Sequence, residues 1–226
     1  MGITAAELSR RYPVLYHMAS HGSWPSIQTH GLLSTLELLD LYEVQEPRRT
    51  ELLTSQRRKS VPLVHAFHGT AILRDQKPLS EKNLARCLTD CDAAAWYSIL
   101  NQRVFFWLDR QRLRTLMSAA EYSGKPHTVI LADTAELLRR HGEHIELAHM
   151  NTGNTRPFAH PRGPSTFRKM ADYPYERRSR LPDYSAVVEL TVAGGVPDLR
   201  DFAIRAEHAA DVDGRYEVSE VLFERQ

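Results

Sequence analysis

The sequence predicts an α+β fold, and three observations carry that expectation. Strand-like and helix-like segments are interspersed. The helix-like segments are short. Several strand-like segments read as hairpin neighbours, which favours antiparallel pairing over a doubly wound parallel sheet. The chain has 226 residues, no internal repeat, and no stretch that reads as a linker with an independent core on each side. One domain spanning residues 1–226 is therefore expected.

The elements follow in order. Residues 4–11 read as a helix with Thr4 as N-cap and Glu7 completing a capping box, ended by Pro13. VLYHMA is a short strand. SWPSIQTHGLL is a helix with Pro25 in its first turn and Gly31 at its C-cap, and Ser34 caps the next helical run, STLELLDLYEV. Residues 45–60 are polar and basic. VPLVHAF and TAIL, joined through Gly69, form a hairpin. Residues 80–100 read as helical, which would set Cys87 and Cys91 on one face. RVFFWL is a buried strand, and DRQRLRTLMSAAEY a helix with Leu113, Leu116, Met117 and Ala120 on one side. HTVILAD, IELAHM, SAVVELTV and YEVSEVLF are further strands, and TAELLRRHG is a helix. Gly194 and Gly195 turn the chain, and Pro197 precedes DLRDFAIRAEH. Residues 151–183 have no periodic pattern and are rich in Pro, Gly and Arg, which marks a functional or mobile loop.

Bulk properties exclude some functions. Hydrophobic residues are 42% of the chain and charged residues 25%, the make-up of a globular protein. The net charge of +1 excludes the whole molecule as a polyanion binder, so any basic site must be local. No run reaches the ~18 apolar residues of a membrane span, and the N-terminus has no signal-peptide pattern. A cytoplasmic protein without membrane contact is expected.

The familiar catalytic and nucleotide motifs are missing: no GxxxxGK[ST], no GxGxxG after a strand, no GxSxG and no HExxH. His65 and His68 lie three apart in a strand-like segment and should face opposite ways. With two cysteines and no Cys/His set at zinc spacing, no metal site is expected.

Three segments invite chemistry. LYHMASHGSWPSIQTHGLLST puts His17 at a strand end before small polar residues and a helix; alone, His17 is either a core histidine or a ligand-binding one. RVFFWLDRQRLRTLMSAAEY runs an aromatic strand into a helix ending at Tyr122, and its rings either fill the core or line a pocket. SAVVELTV carries Glu189 within an apolar strand, so Glu189 lies either on a solvated face or in a cleft, because burying an unpaired carboxylate is costly.

In this order, the segments resemble the ADP-ribosyltransferase superfamily, specifically the DarT-type DNA ADP-ribosyltransferases. The opening resemblance lies in Tyr16-His17, Ser20 and Gly31-Leu32-Leu33-Ser34. Arg57 through Val61 to Gly69, Phe105-Phe106-Trp107 to Tyr122, and Val188-Glu189-Leu190-Thr191-Val192 with Val196-Pro197 are the other similar segments. Arg74 to Leu79, Leu100 to Trp107 and Asn151 to Gly153 are similar to bacterial relatives of these enzymes. The Pro-Met element that continues the DarT aromatic strand is not reproduced.

The resemblance implies an ADP-ribosyltransferase-like domain of two packed, mostly antiparallel sheets with short flanking helices. It implies NAD as co-substrate, held by Tyr16, His17 and Ser20, with Phe106 and Tyr122 beside the nicotinamide. It implies Glu189 as the catalytic carboxylate and Arg57, or alternatively Arg58, as the assisting arginine. His17, Ser20, Phe106, Tyr122 and Glu189 should then line one cleft. Chemically, Glu189 would stabilise the oxocarbenium-like centre formed as nicotinamide leaves and orient the incoming nucleophile.

Residues 151–183 hold seven cations against three acids, with Phe158, Phe167, Tyr173 and Tyr175 interleaved. Cations for phosphates and rings for bases suit a single-stranded DNA or RNA acceptor, with Arg168, Lys169, Arg177, Arg178 and Arg180 as contacts. A cognate antitoxin is left open as a partner. The alternatives are an NAD glycohydrolase or phosphorylase on the same fold, and a catalytically inactive nucleic-acid-binding relative.

Overall fold

The computed structural model describes residues 2–157 and 159–226. In chain order the strands are β1 (Val14–Ser20), β2 (Leu32–Leu33), β3 (Val61–His65), β4 (Gly69–Leu73), β5 (Arg103–Trp107) and β6 (His127–Asp133), then β7 (Ile145–Ala148), β8 (Glu189–Ala193), β9 (Gly195–Val196), β10 (Ala203–Val212) and β11 (Arg215–Glu224). The helices are α1 (Ala5–Arg11), α2 (Trp24–His30), α3 (Thr35–Leu41), α4 (Arg48–Thr54), α5 (Glu81–Cys87), α6 (Ala93–Asn101), α7 (Arg110–Met117), α8 (Thr134–His141), α9 (Tyr175–Arg178) and α10 (Asp183–Ala186). The chain thus mixes helices with a large antiparallel sheet.

Instead of two packed sheets, one seven-stranded sheet forms, in the order β11-β10-β6-β1-β5-β8-β7, with two short ribbons, β2-β9 and β3-β4. Its strand pairs are all antiparallel. The sheet nevertheless has a seam. β1 pairs with β6 along its whole length, from Val14↔Asp133 to Ser20↔His127, and β5 with β8 from Arg103↔Ala193 to Trp107↔Glu189. Between β1 and β5 there is only Tyr16↔Trp107. Past that pair, residues 17–20 and 103–106 part.

One sheet face packs on α1 and α8 through Leu8, Leu15, Phe106, Ile130, Leu137, Leu147 and Leu190, all 1% exposed or less. Such side chains each contribute roughly 1.5–3 kcal/mol by leaving water. The other face carries Met18 and Val129 against Leu113 and Met117 of α7. Beside it, Leu84, Trp96, Tyr97 and Leu100 of α5 and α6 pack with Phe167.

Several expectations are corrected. The 80–100 helix is broken: Asp90 has φ 61° and Asp92 recaps the chain by accepting from the Ala95 N–H at 2.8 Å. Cys87 ends α5 and Cys91 lies in the break, so they do not share a helical face. The α7 helix stops at Met117, which leaves Ala120 exposed and Tyr122 in the turns that follow. The SAVVELTV strand begins at Glu189, after α10. The rings of His65 and His68 are stacked 4.6 Å apart, because β3 ends at His65 and the intervening turn reverses the chain.

Residues 151–183 are not a featureless loop. Their chain bridges to Leu88 at Arg162 and to Leu147 at Arg168, and buries Phe167 and Tyr173.

Candidate active site

A cavity of about 300 Å³ opens at the parting of β1 and β5, the low end of the range for small-molecule sites. Strand residues His17 to Ser20 and Arg103 to Phe105 supply its floor, with Trp107 and Glu189. β4 and the segment after it add Leu73, Arg74 and Asp75, and Arg57, Tyr122, Asn151 and Gly153 also line it. Gly31 lies at its edge with φ 81°, and a Cβ there would sit 2.3 Å from the Pro197 Cα. That close approach is what lets β2 pair with β9 beside the cavity.

Of the expected cleft residues, His17, Ser20, Tyr122 and Glu189 meet here, joined by Arg57, the expected assisting arginine. Phe106 does not. It is 1% exposed, lies on the core face and touches His17 edge-on at 5.8 Å, whereas its neighbours Phe105 and Trp107 line the cavity. Strand parity explains this: side chains alternate, and an all-apolar run gives no clue to which set points where. Tyr16 is also outside the lining. It forms the last backbone pair before the seam and packs with the Leu113–Met117 cluster.

His17 occupies the parting itself. Its Nδ1 lies 2.8 Å from the Phe105 carbonyl, replacing the backbone ladder that ends at Tyr16↔Trp107. The carbonyl can only accept, so Nδ1 carries the proton and Nε2 is an acceptor. Burial pushes its pKa down to about 4, opposed by the Phe105 bond and aided by Arg74, so the ring is neutral near pH 7.

Glu189 is 3% exposed, paired by register with Trp107 on one side and Ala148 on the other. Its carboxylate accepts from the Thr152 N–H (3.2 Å to each oxygen) and from the Thr152 Oγ1–H (2.7 Å). Burial pushes its pKa up to about 7, and the Thr152 bonds, Arg162 and Arg112 pull it back. A carboxyl that titrates near neutrality in a cavity suits acid–base or charge-stabilising work.

Arg57 reaches the cavity but is heavily committed. Its Nε donates to the Arg74 carbonyl at 3.1 Å, and Nη1 to the Leu52 carbonyl and Asn101 Oδ1 at 2.9 Å each. Burial lowers its pKa to about 10. It ties α4, α6 and the β4 end together. Arg58 is exposed and pairs with Glu81 at 3.2 Å.

Arg74, which the sequence marked only as part of a family-like motif, lines the cavity. Its Nη1 donates to the Met18 carbonyl at 2.6 Å and its guanidinium lies 4.5 Å from the Tyr122 ring centre. Its Nη2 is buried without a hydrogen-bond partner. Tyr122 is fixed beneath it by donating to Asp75 Oδ1 at 2.9 Å.

The basic segment fares differently from expectation. Arg162 is 2% exposed and donates to the Thr152 carbonyl. Arg178 bonds the carbonyls of Ala186, Ser185 and His149. Arg168 and Lys169 are exposed, though each also donates to a backbone carbonyl, and Arg177 and Arg180 are exposed. The rings expected to stack on bases are spent elsewhere: Phe167 and Tyr173 are buried, and the Tyr175 hydroxyl accepts from Arg11 at 2.7 Å. Phe158 lies outside the described residues. Among the described residues no group of three or more His, Cys, Asp or Glu could hold a metal ion, and no helix is long and apolar enough to cross a membrane.

A family model described as a family of unknown function (DUF7002) matches residues 13–203. The chain belongs to that family. The matched segment contains every cavity residue named above, from His17 to Glu189, and leaves out α1 and β11. Comparison with curated proteins gave no match.

Proposed function

We propose that this cavity binds NAD and that the chain cleaves the nicotinamide–ribose bond and transfers ADP-ribose. One observation carries the reading. His17 and Glu189, far apart in sequence and each in a segment that resembles an ADP-ribosyltransferase motif, line the same cavity at the seam of the sheet. Phe105, Trp107 and Tyr122 supply aromatic rings to the lining, which suits a flat cationic nicotinamide. The neutral His17 adds no repelling charge. The Arg74 Nη2 suits an acceptor oxygen of the dinucleotide, and the ionised Glu189 suits the cationic ribose centre.

For the acceptor, a nucleic acid remains the first proposal, now through phosphate contacts at Arg168, Lys169, Arg177 and Arg180 and not through stacking. The burial of Phe167 and Tyr173 favours a second reading, hydrolysis of NAD with water as acceptor. Incubation with NAD, with and without single-stranded DNA and RNA, followed by nicotinamide release and mass spectrometry of the oligonucleotides, separates the two. Adducts that require Glu189 support transfer. Nicotinamide release without adducts supports hydrolysis. No NAD binding or turnover under any condition overturns both.

A further inference from the structure

We propose that Thr152, in the Asn151–Thr152–Gly153 turn and backed by Arg162, is a positioning residue that fixes the orientation and ionisation of the Glu189 carboxylate. Its kinetic arm rests on the NAD reading above; its structural arm does not.

The geometry is specific. Among the described residues, every hydrogen bond to the carboxylate comes from this one residue, through its backbone N–H and its hydroxyl. A bidentate backbone contact with a hydroxyl contact on one oxygen restricts both the plane and the tilt of the carboxyl group. Thr152 is fully buried, while its neighbours Asn151 and Gly153 line the cavity. The turn therefore presents one side to a ligand and the other to the carboxylate.

The turn is itself held. The Thr152 carbonyl accepts from Arg162 Nη1 at 2.9 Å. Arg162 is anchored at the end of α5, its N–H donating to the Cys87 carbonyl and its carbonyl accepting from the Thr89 N–H, both at 2.8 Å. The charged groups that bear on Glu189 are Arg162 from this segment and Arg112 from α7, and neither is hydrogen-bonded to it; Trp107 and Ala148, its register partners, carry no charge. A directly paired arginine would hold the carboxylate ionised at all working pH values. Two neutral donors instead leave it titratable, in a fixed orientation.

The test follows the carboxyl directly. With ¹³C-labelled glutamate, the Glu189 Cδ resonance, assigned by its absence in Glu189→Gln, gives the titration midpoint. Thr152→Val, which keeps the shape and removes the hydroxyl, should raise that midpoint by about one pH unit, the worth of one hydrogen bond to a charged group. Thr152→Ser should return it to within a few tenths of the parent. In NAD cleavage the acid limb of the pH–rate profile should move with the midpoint, so that Thr152→Val loses roughly tenfold at low pH and recovers at high pH. An unmoved midpoint in folded Thr152→Val overturns the proposal. If that variant does not fold, the parent decides: its Thr152 amide proton should shift with the Glu189 midpoint, and an amide silent through that titration overturns the proposal. A moving midpoint in a protein that never cleaves NAD leaves the positioning role standing and removes the NAD reading.

Discussion

Replacing Glu189 by Gln should stabilise the protein at pH 8 and do little for it at pH 4.5. The carboxyl has a pKa of about 7 in the fold against 4.5 for the free side chain. An acid with a raised folded pKa is bound more tightly as the protonated form. Its contribution is full below about 4.5 and is lost as pH rises through about 7. A difference of about 2.5 at 1.36 kcal/mol per unit is about 3 kcal/mol of stability lost across that window. Gln carries no charge and escapes this loss. It gives up some hydrogen bonding, because the Thr152 N–H and hydroxyl both donate to the carboxylate. The hydroxyl can turn and accept from the new amide, which limits that cost to about 1 kcal/mol. The net expectation is a gain of about 2 kcal/mol at pH 8, shrinking to zero or a slight loss at pH 4.5. Urea unfolding of both proteins at intervals between these pH values measures it. A stability difference that stays flat with pH would refute the reasoning, as would a Gln variant less stable than the parent at pH 8.

Three other predictions follow from the cavity. His17→Ala should weaken NAD binding by roughly 1–3 kcal/mol with the fold retained, and unchanged affinity by calorimetry would remove His17 from the ligand's contacts. Arg74→Met should lower NAD affinity at least tenfold, because it deletes a buried charged donor that has no hydrogen-bond partner among the described residues; equal affinity would mean that the Nη2 meets no ligand atom. Arg177→Gln with Arg180→Gln should flatten the salt dependence of single-strand binding by roughly 1.4 in log–log slope, at about 0.7 per phosphate contact, and leave NAD cleavage intact. Arg178 is left out of that variant because its guanidinium holds the backbone at Ser185 and Ala186, so its loss would confound binding with stability.

Much of the fold was legible because its signals are local. The Thr4/Glu7 capping box forms as read, with Thr4 Oγ1 accepting from the Glu7 N–H at 3.2 Å and Glu7 accepting from the Thr4 N–H at 3.0 Å. The hairpin through Gly69 forms with Gly69 at φ 68°. The site was legible only in part. His17 and Glu189 stood out because a histidine at a strand end and a carboxylate in an apolar strand are both costly positions. What positions them was not readable. The seam between β1 and β5 is a long-range property, and no local pattern marks the strand pair that fails to close. Arg74 and Thr152 lacked a signal of their own: one is a cation following a hairpin strand, the other a residue in a non-periodic segment. That segment misled on its rings, since Phe167 and Tyr173 bury themselves without any periodic spacing to announce it.

The placement of charge at the seam fits the proposed chemistry. Arg162 and Arg112 both bear electrostatically on Glu189, and a direct bidentate pair with either would have offset the cost of burying the carboxylate. The fold instead spends the Arg162 Nη1 on the Thr152 carbonyl and, among the described residues, gives Glu189 neutral donors alone. Across the cavity, Arg74 keeps a buried donor unused and His17 stays uncharged. The buried Glu189 carboxyl and the partnerless Arg74 Nη2 each cost stability, and both residues line one cavity of about 300 Å³. A surface that only bound a polyanion would need exposed cations and no buried carboxylate titrating near neutrality. A catalytic carboxylate facing a developing cation needs what is found here: fixed orientation, exclusion from water, and an ionisation that the working pH can reach. The stability gain expected for Glu189→Gln at pH 8 is the measurable counterpart of that cost. Its size sets how much of the fold's stability is given up to hold this one group ready.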